Sequence, residues 1–169
     1  MQYTSAQAAK ILRRLNEEHI ALLNMEQQSK DFLASVGEDP ESVRPDYDYA
    51  ATQAKLAELE EKIRKVKHAI SVFNTTTLVP EFGMTVDQLL VYIPQLSQRK
   101  IKYSDMMSKL PTARETGAAY TRGNIIDYRY ANYDIAAAEQ DYSEAADTLG
   151  RAQTALDVVN NTLTMEIDL

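Results

Sequence analysis

Six apolar residues, Leu56, Leu59, Ile63, Val66, Ile70 and Phe73, follow one another at steps of three, four, three, four and three. This spacing constrains the fold more than any other feature of the chain. On a helix all six share one face, whereas on a strand they would scatter over both. The pattern is the a/d stripe of a coiled-coil seam. Between the seam positions stand Glu58–Lys62, Glu60–Arg64 and Glu61–Lys65, each with the acid four residues ahead of the base, the favourable order on a helix. A helix is expected over about 48–73.

A second stripe of the same kind runs through Ala138, Tyr142, Ala145, Leu149, Ala152, Leu156 and Val159. Asp134 is placed to cap it, and its alanines allow a neighbouring helix to come close. Gly150 falls inside this helix and costs about 1 kcal/mol relative to alanine, so close packing is the expected reason for it. Thr85-Val-Asp-Gln88 has the form of a capping box, opening a third helix through Leu89, Ile93, Leu96, Lys100, Tyr103, Met107 and Leu110. Pro94 removes one backbone bond inside it and predicts a kink. A first helix, less regular, runs from Ser5 through Ile11, Leu12, Leu15, Leu22, Leu23 and Leu33, with His19 and Glu26 near its seam. The loop from Gly37 to Asp46 is short enough to force the first two helices antiparallel.

The expected fold is therefore mainly α: one domain over 1–169, with helices at about 5–35, 48–73, 86–110 and 134–161. It reads as two helical hairpins or an antiparallel four-helix bundle. The β-prone stretches at about 75–82 and 124–130 join helix ends, and their alternation predicts a small two-stranded cap. In the second, Asp127 and Arg129 fall on one face and Tyr128 and Tyr130 on the other. Stripes this regular, on helices of about 40 Å, offer more apolar surface than one copy covers. A homo-oligomer is expected.

Composition narrows the chemistry. The chain has no cysteine, which excludes a disulfide framework and thiolate zinc sites. Of its two histidines, His19 has Asn16 three residues before it and His68 has Lys65, so the Glu-x-x-His of a di-iron bundle is absent. His19 reads as a hydrogen-bonded core or interface residue and His68 as solvated. No glycine-rich phosphate loop or G-x-S-x-G is present. No acid, base or nucleophile set can be named, so no enzyme activity, metal or cofactor is expected. Apolar runs fall short of the roughly 20 residues of a membrane span. The first residues carry no apolar signal core, so the cytoplasm is the expected compartment.

The formal charge of −7 is confined to one segment. Residues 134–169 hold eight acids against Arg151 alone, whereas 1–133 hold 17 acids and 17 Lys+Arg. An acidic helix face repels phosphate backbones and anionic lipid, so neither nucleic acid nor membrane is an expected partner. Lys62, Arg64, Lys65 and Lys67 form a basic surface that could receive it, within this chain or on a second copy. The remaining feature is aromatic. Tyr120, Tyr128, Tyr130, Tyr133 and Tyr142 fall close together, with Arg122 and Arg129 between them. Tyrosine with arginine covers a bundle end, forms a protein–protein hot spot, or clamps a small nucleotide-like anion. Tyr120, Arg122, Tyr128, Arg129, Tyr130 and Tyr133 are the candidate partner or ligand surface. Interaction with proteins is the expected function, and binding of a small anionic ligand is the alternative.

The order of features also carries a resemblance. The second helix leads to Asn74-Thr-Thr-Thr77, a β-like Leu78–Phe82 and the turn into Met84-Thr-Val-Asp-Gln-Leu-Leu90. Asn124-Ile-Ile-Asp-Tyr-Arg-Tyr130 then precedes a long helix ending at Val159-Asn-Asn161. Over roughly 50–161 this order resembles the septicolysin-like family of small bacterial helical proteins. Those have an Asn-x-x-Thr segment after their second helix, a Thr-Leu-x-x-Ala-Leu helix start, a β-like stretch and a final helix finishing near an Asn. The resemblance implies an antiparallel helical fold that self-associates, and it brings no catalytic residues. Pro94 and the tail Thr162–Leu169 depart from the family's pattern.

Overall fold

A computed structural model describes residues 1–115 and 127–169. Helices occupy 68% of the described residues, so the fold is mainly α. In order, the elements are β1 (Gln2–Thr4), α1 (Ser5–Ser29), α2 (Pro40–Val43), α3 (Tyr49–Thr76), β2 (Leu78–Val79), β3 (Met84–Thr85) and α4 (Val86–Met107). These are followed by β4 (Thr112–Arg114), β5 (Tyr128–Tyr130), α5 (Ile135–Thr162) and β6 (Thr164–Glu166). The chain divides into two compact units, one of residues 1–77 with 158–169, the other of 78–157.

In the first unit α1 and α3 form an antiparallel hairpin. The pairing is marked by Gln53 Nε2 donating to Glu26, by Lys55 at 3.9 Å from Glu18, and by His19 Nε2 at 3.4 Å from Glu60. The α3 stripe does what its spacing requires: Leu56, Leu59, Val66 and Phe73 are buried. Of the three expected ion pairs on its outer face, Glu58–Lys62 and Glu61–Lys65 form, while Glu60 faces His19 instead. A capping box opens α1, with Thr4 N–H donating to Gln7 Oε1 (3.0 Å) and Gln7 N–H to Thr4 Oγ1 (3.3 Å). β1 pairs antiparallel with β6 (Tyr3↔Met165), which buries Met165 and Ile167.

Two helix ends differ from the sequence reading. The first helix stops at Ser29 and not near residue 35, because Phe32 leaves the helical line to lie under the Arg44 guanidinium, 5.1 Å from the ring centroid. Tyr47 Oη donates to Glu26 (2.7 Å) and ties the connecting segment back to α1. The second helix runs three residues past Phe73. The hydroxyls of Thr75 and Thr76 donate to the carbonyls of Ser71 and Val72, so these β-prone residues satisfy themselves inside the helix.

In the second unit α4 and the first part of α5 run antiparallel. Tyr133 Oη donates to the Met106 carbonyl (2.8 Å), Lys100 Nζ lies 5.9 Å from the Tyr142 ring centroid, and Arg151 pairs with Glu81 (2.7 Å). Leu89, Leu96, Ala138, Ala145, Leu149 and Ala152 are buried here. The capping box at Thr85 and Gln88 forms as its spacing predicts, with bonds of 3.0 and 3.3 Å. α4 continues through Pro94 as one helix, and the proline stands on the solvent side. Its last turn falls short of expectation: Ser108 caps the helix, and Met107 and Leu110 are exposed. Asp134 Oδ1 accepts from Ala136 N–H (2.9 Å) at the start of α5.

The expected single cap is replaced by local ribbons. Residues 78–79 pair with 84–85, and 128–130 pair with 112–114, so the two β-prone stretches are not partners. Gly83 makes the first ribbon possible. Its φ of +61° turns the chain within a few residues, and both Phe82 and Gly83 N–H donate to the Val79 carbonyl. A partner this near costs far less chain entropy than one about fifty residues away. Gly150 also departs from the reading: a Cβ built there meets nothing within 4 Å, so close packing does not explain it.

Candidate interaction surface

The β4–β5 ribbon carries the tyrosines the sequence singled out. It grows directly from the end of α4, where Ala131 N–H donates to the Pro111 carbonyl (3.0 Å). The register is Thr112↔Tyr130, Ala113↔Arg129 and Arg114↔Tyr128. Directly opposed residues share a face, so Tyr128, Tyr130, Thr112 and Arg114 lie on one side, and Ala113 and Arg129 on the other. The tyrosine face is open: Tyr128 is 52% and Tyr130 68% exposed. Arg114 beside them is exposed and makes no ion pair among the described residues.

The opposite face is electrostatically closed. Arg129 Nε donates to Glu115, and Glu115 N–H donates to the Asp127 carbonyl (3.0 Å), which extends the ladder. Nearby, Lys109 Nζ donates to Asp105 (2.7 Å). That hydrogen-bonded carboxylate holds the Lys109 ammonium above the ordinary lysine range; the Tyr133 phenol adds to the effect and the Arg129 cation opposes it. Arg129 and Lys109 therefore stand in one neighbourhood, each already holding a carboxylate. Tyr133 anchors the ribbon through its bond to Met106.

The six candidate residues thus separate. Tyr128 and Tyr130 share an exposed face, Arg129 points away from them into an ion pair, and Tyr133 is a fastening. Tyr120 and Arg122 lie outside the described residues. Glu115 and Arg114, which decide the character of the two faces, were not legible, because the polar stretch 111–123 carries no periodic signal. Beside the ribbon, α4 and α5 border a groove of about 620 Å³ whose lining includes Lys100, Ile101, Asp105 and Tyr142. Ile101 on its wall is 63% exposed.

Among the described residues, no cluster of three His, Asp or Glu side chains is placed to hold a metal ion, and no buried side-chain polar atom lacks a partner. No described helix is long and apolar enough to cross a membrane. What the geometry defines is a mainly helical protein with short antiparallel ribbons. No protein-family model matches the chain, and no curated protein matches it. Among solved structures it is similar to that of a functionally unknown conserved protein from Corynebacterium diphtheriae. The TM-score is 0.61 at 18% identity, covering 98% of this chain and 100% of that one. At that identity the likeness is one of fold.

Proposed function

We propose that this chain is a non-enzymatic protein of the cytoplasm that self-associates and acts through protein–protein contacts. One observation carries the reading: the exposed face of the β4–β5 ribbon, where Tyr128 and Tyr130 stand beside Arg114, which makes no ion pair among the described residues. Tyrosine and arginine are the residues that dominate protein interfaces when they are desolvated together. Exposed Met107 and Leu110 at the adjoining end of α4 add apolar area. The heptad stripes, and the resemblance to the septicolysin-like family, point the same way and favour an antiparallel four-helix arrangement of the long helices. Binding of a small anionic ligand is the weaker reading, because Arg129 would first have to give up Glu115. The acidic last helix disfavours nucleic acid and anionic membrane as partners.

Native mass spectrometry of gently purified protein tests this. An integral multiple of 19.0 kDa is expected for the native chain. The double substitution Tyr128→Ala, Tyr130→Ala is expected to return it to a folded monomer. A native monomer would refute self-association, and a persistent extra mass that Arg129→Ala abolishes would favour ligand capture.

A further inference from the structure

The first unit holds an open strand edge that the tyrosine ribbon does not explain. Among the described residues β6 is paired on one side only. Met1 N donates to the Ile167 carbonyl (3.1 Å) and Ile167 N–H to the Met1 carbonyl (2.9 Å), so Met1↔Ile167 is a hydrogen-bonded pair of the antiparallel ladder. Such pairs alternate, which makes Tyr3↔Met165 the next one. The N–H and C=O of Glu166, between them, consequently point away from β1. Among the described residues they meet no backbone partner.

Along this edge lies a groove of about 560 Å³, bounded by Thr164–Asp168 and by α3 from Lys65 to Thr76. Its floor is apolar, made by Ala69, Val72 and Phe73 of α3 with Met165 and Ile167 of the strand. Val72 is 45% exposed, an apolar side chain that nothing in the unit covers. The eleven helical steps from Lys65 to Thr76 rise about 16 Å, the span of about five residues of strand, so one short extended segment fits the length of the groove.

We propose that this edge docks an extended segment of another protein, which adds antiparallel to β6 as a third strand and alternates basic and apolar residues. The inference rests on the protein-interaction reading and names one partner for it. Charge selects the occupant. Glu166 and Asp168 are exposed on the outer face of the ribbon and make no salt bridge among the described residues; Lys65 holds Glu61 at 2.9 Å and feels the Asp168 charge only at longer range, so Glu166 is the acid at the middle of the edge that a partner's cation meets. Opposite charges across a strand pair are favourable and like charges are not. A second copy of β6 would set acids against acids; a partner with outward lysine or arginine completes the pairs. Its inward residues, on the side of Met165 and Ile167, must be apolar to cover Val72. Main-chain bonds then supply affinity and the alternation supplies selectivity.

The test is fluorescence anisotropy with a labelled, end-blocked pentapeptide Lys-Val-Lys-Val-Lys against the intact chain. Saturable binding is expected, with little for Glu-Val-Glu-Val-Glu. In antiparallel addition the residue opposite Glu166 shares its face, so lysine N–H groups donate to the edge. N-methylation at the lysines should weaken binding by about tenfold or more, the scale of a lost set of strand bonds. Glu166→Lys should invert the preference between the two peptides, and Val72→Asn, on the exposed surface, should weaken both forms. Absence of binding, indifference to lysine N-methylation, or an unchanged preference in Glu166→Lys overturns the proposal. A peptide that dissolves a native oligomer as it binds would place a second copy on this edge and overturn it equally. An intact oligomer that ignores the peptide removes the edge site alone, and a monomer that binds it removes self-association alone.

Discussion

Replacing Gly150 by alanine should stabilise the protein. Gly150 lies deep within α5, fifteen residues past its first residue Ile135 and twelve before its last, Thr162. It is exposed, its φ is not left-handed, and a Cβ there meets no atom within 4 Å. The substitution therefore brings no clash and no lost contact; it removes the backbone freedom that glycine retains in the unfolded chain. The bond from Thr154 Oγ1 to the Gly150 carbonyl (3.0 Å) is unaffected, since it involves only the main chain at that position. The gain is about 0.5–1 kcal/mol. In a chain of this size each kcal/mol moves Tm by about 2–4 °C, so Gly150→Ala should raise it by about 1–4 °C. Urea unfolding followed by circular dichroism should show a higher midpoint at unchanged slope. Gly83→Ala is the matched control with the opposite sign: at φ +61° a Cβ is strained, which costs about 1–2 kcal/mol. A fall in the stability of Gly150→Ala would refute the argument and show that something packs against that face in solution, a second copy being the first suspect.

Three further outcomes follow from the same reasoning. Thr85→Ala removes one half of the α4 capping box and should cost about 1 kcal/mol, with Thr85→Ser largely restoring it in the same denaturation assay. Tyr133→Phe removes the bond to the Met106 carbonyl and should accelerate amide exchange in β4 and β5 while leaving α1 and α3 unchanged, read by hydrogen exchange. Glu58 and Glu61 are held below the ordinary glutamate range, first by hydrogen bonds from Lys62 and Lys65 and then by their charge. Folding therefore releases protons from them. Their contribution is complete above the ordinary glutamate pKa and is lost as pH falls through the depressed values. Glu58→Gln with Glu61→Gln should lower Tm modestly on the neutral side, where the contribution is complete, leave the strongly acid end unchanged, and so flatten the profile between them; the effect is small because both pairs are exposed.

The β elements show how far local sequence carries. Thr75 and Thr76 favour strands by propensity, yet they close the last turn of α3 because their hydroxyls find helix carbonyls. Leu78–Val79 and Tyr128–Tyr130 are strands, but each pairs with its own near neighbour. β6 lay in a tail with no assigned structure, and its partner is at the opposite end of the chain, where no window of sequence could find it. The capping box at Thr4 and Gln7 went unread in the sequence, although its spacing is the one that marks Thr85 and Gln88.

What the sequence determined by itself is periodic or local. The stripes through Leu56–Phe73 and Ala138–Val159 specify helices and their buried faces, because a repeat of three and four residues returns to the same side of one helix. The box at Thr85 and the cap at Asp134 specify where helices begin, because both partners lie within one turn. Tertiary structure alone decided which strands pair, which arginine is bound to a carboxylate and which tyrosines stay open. Those outcomes depend on residues distant in sequence meeting in space. Arg129 reads as an anion clamp beside its tyrosines until the register of β4 sets Glu115 against it.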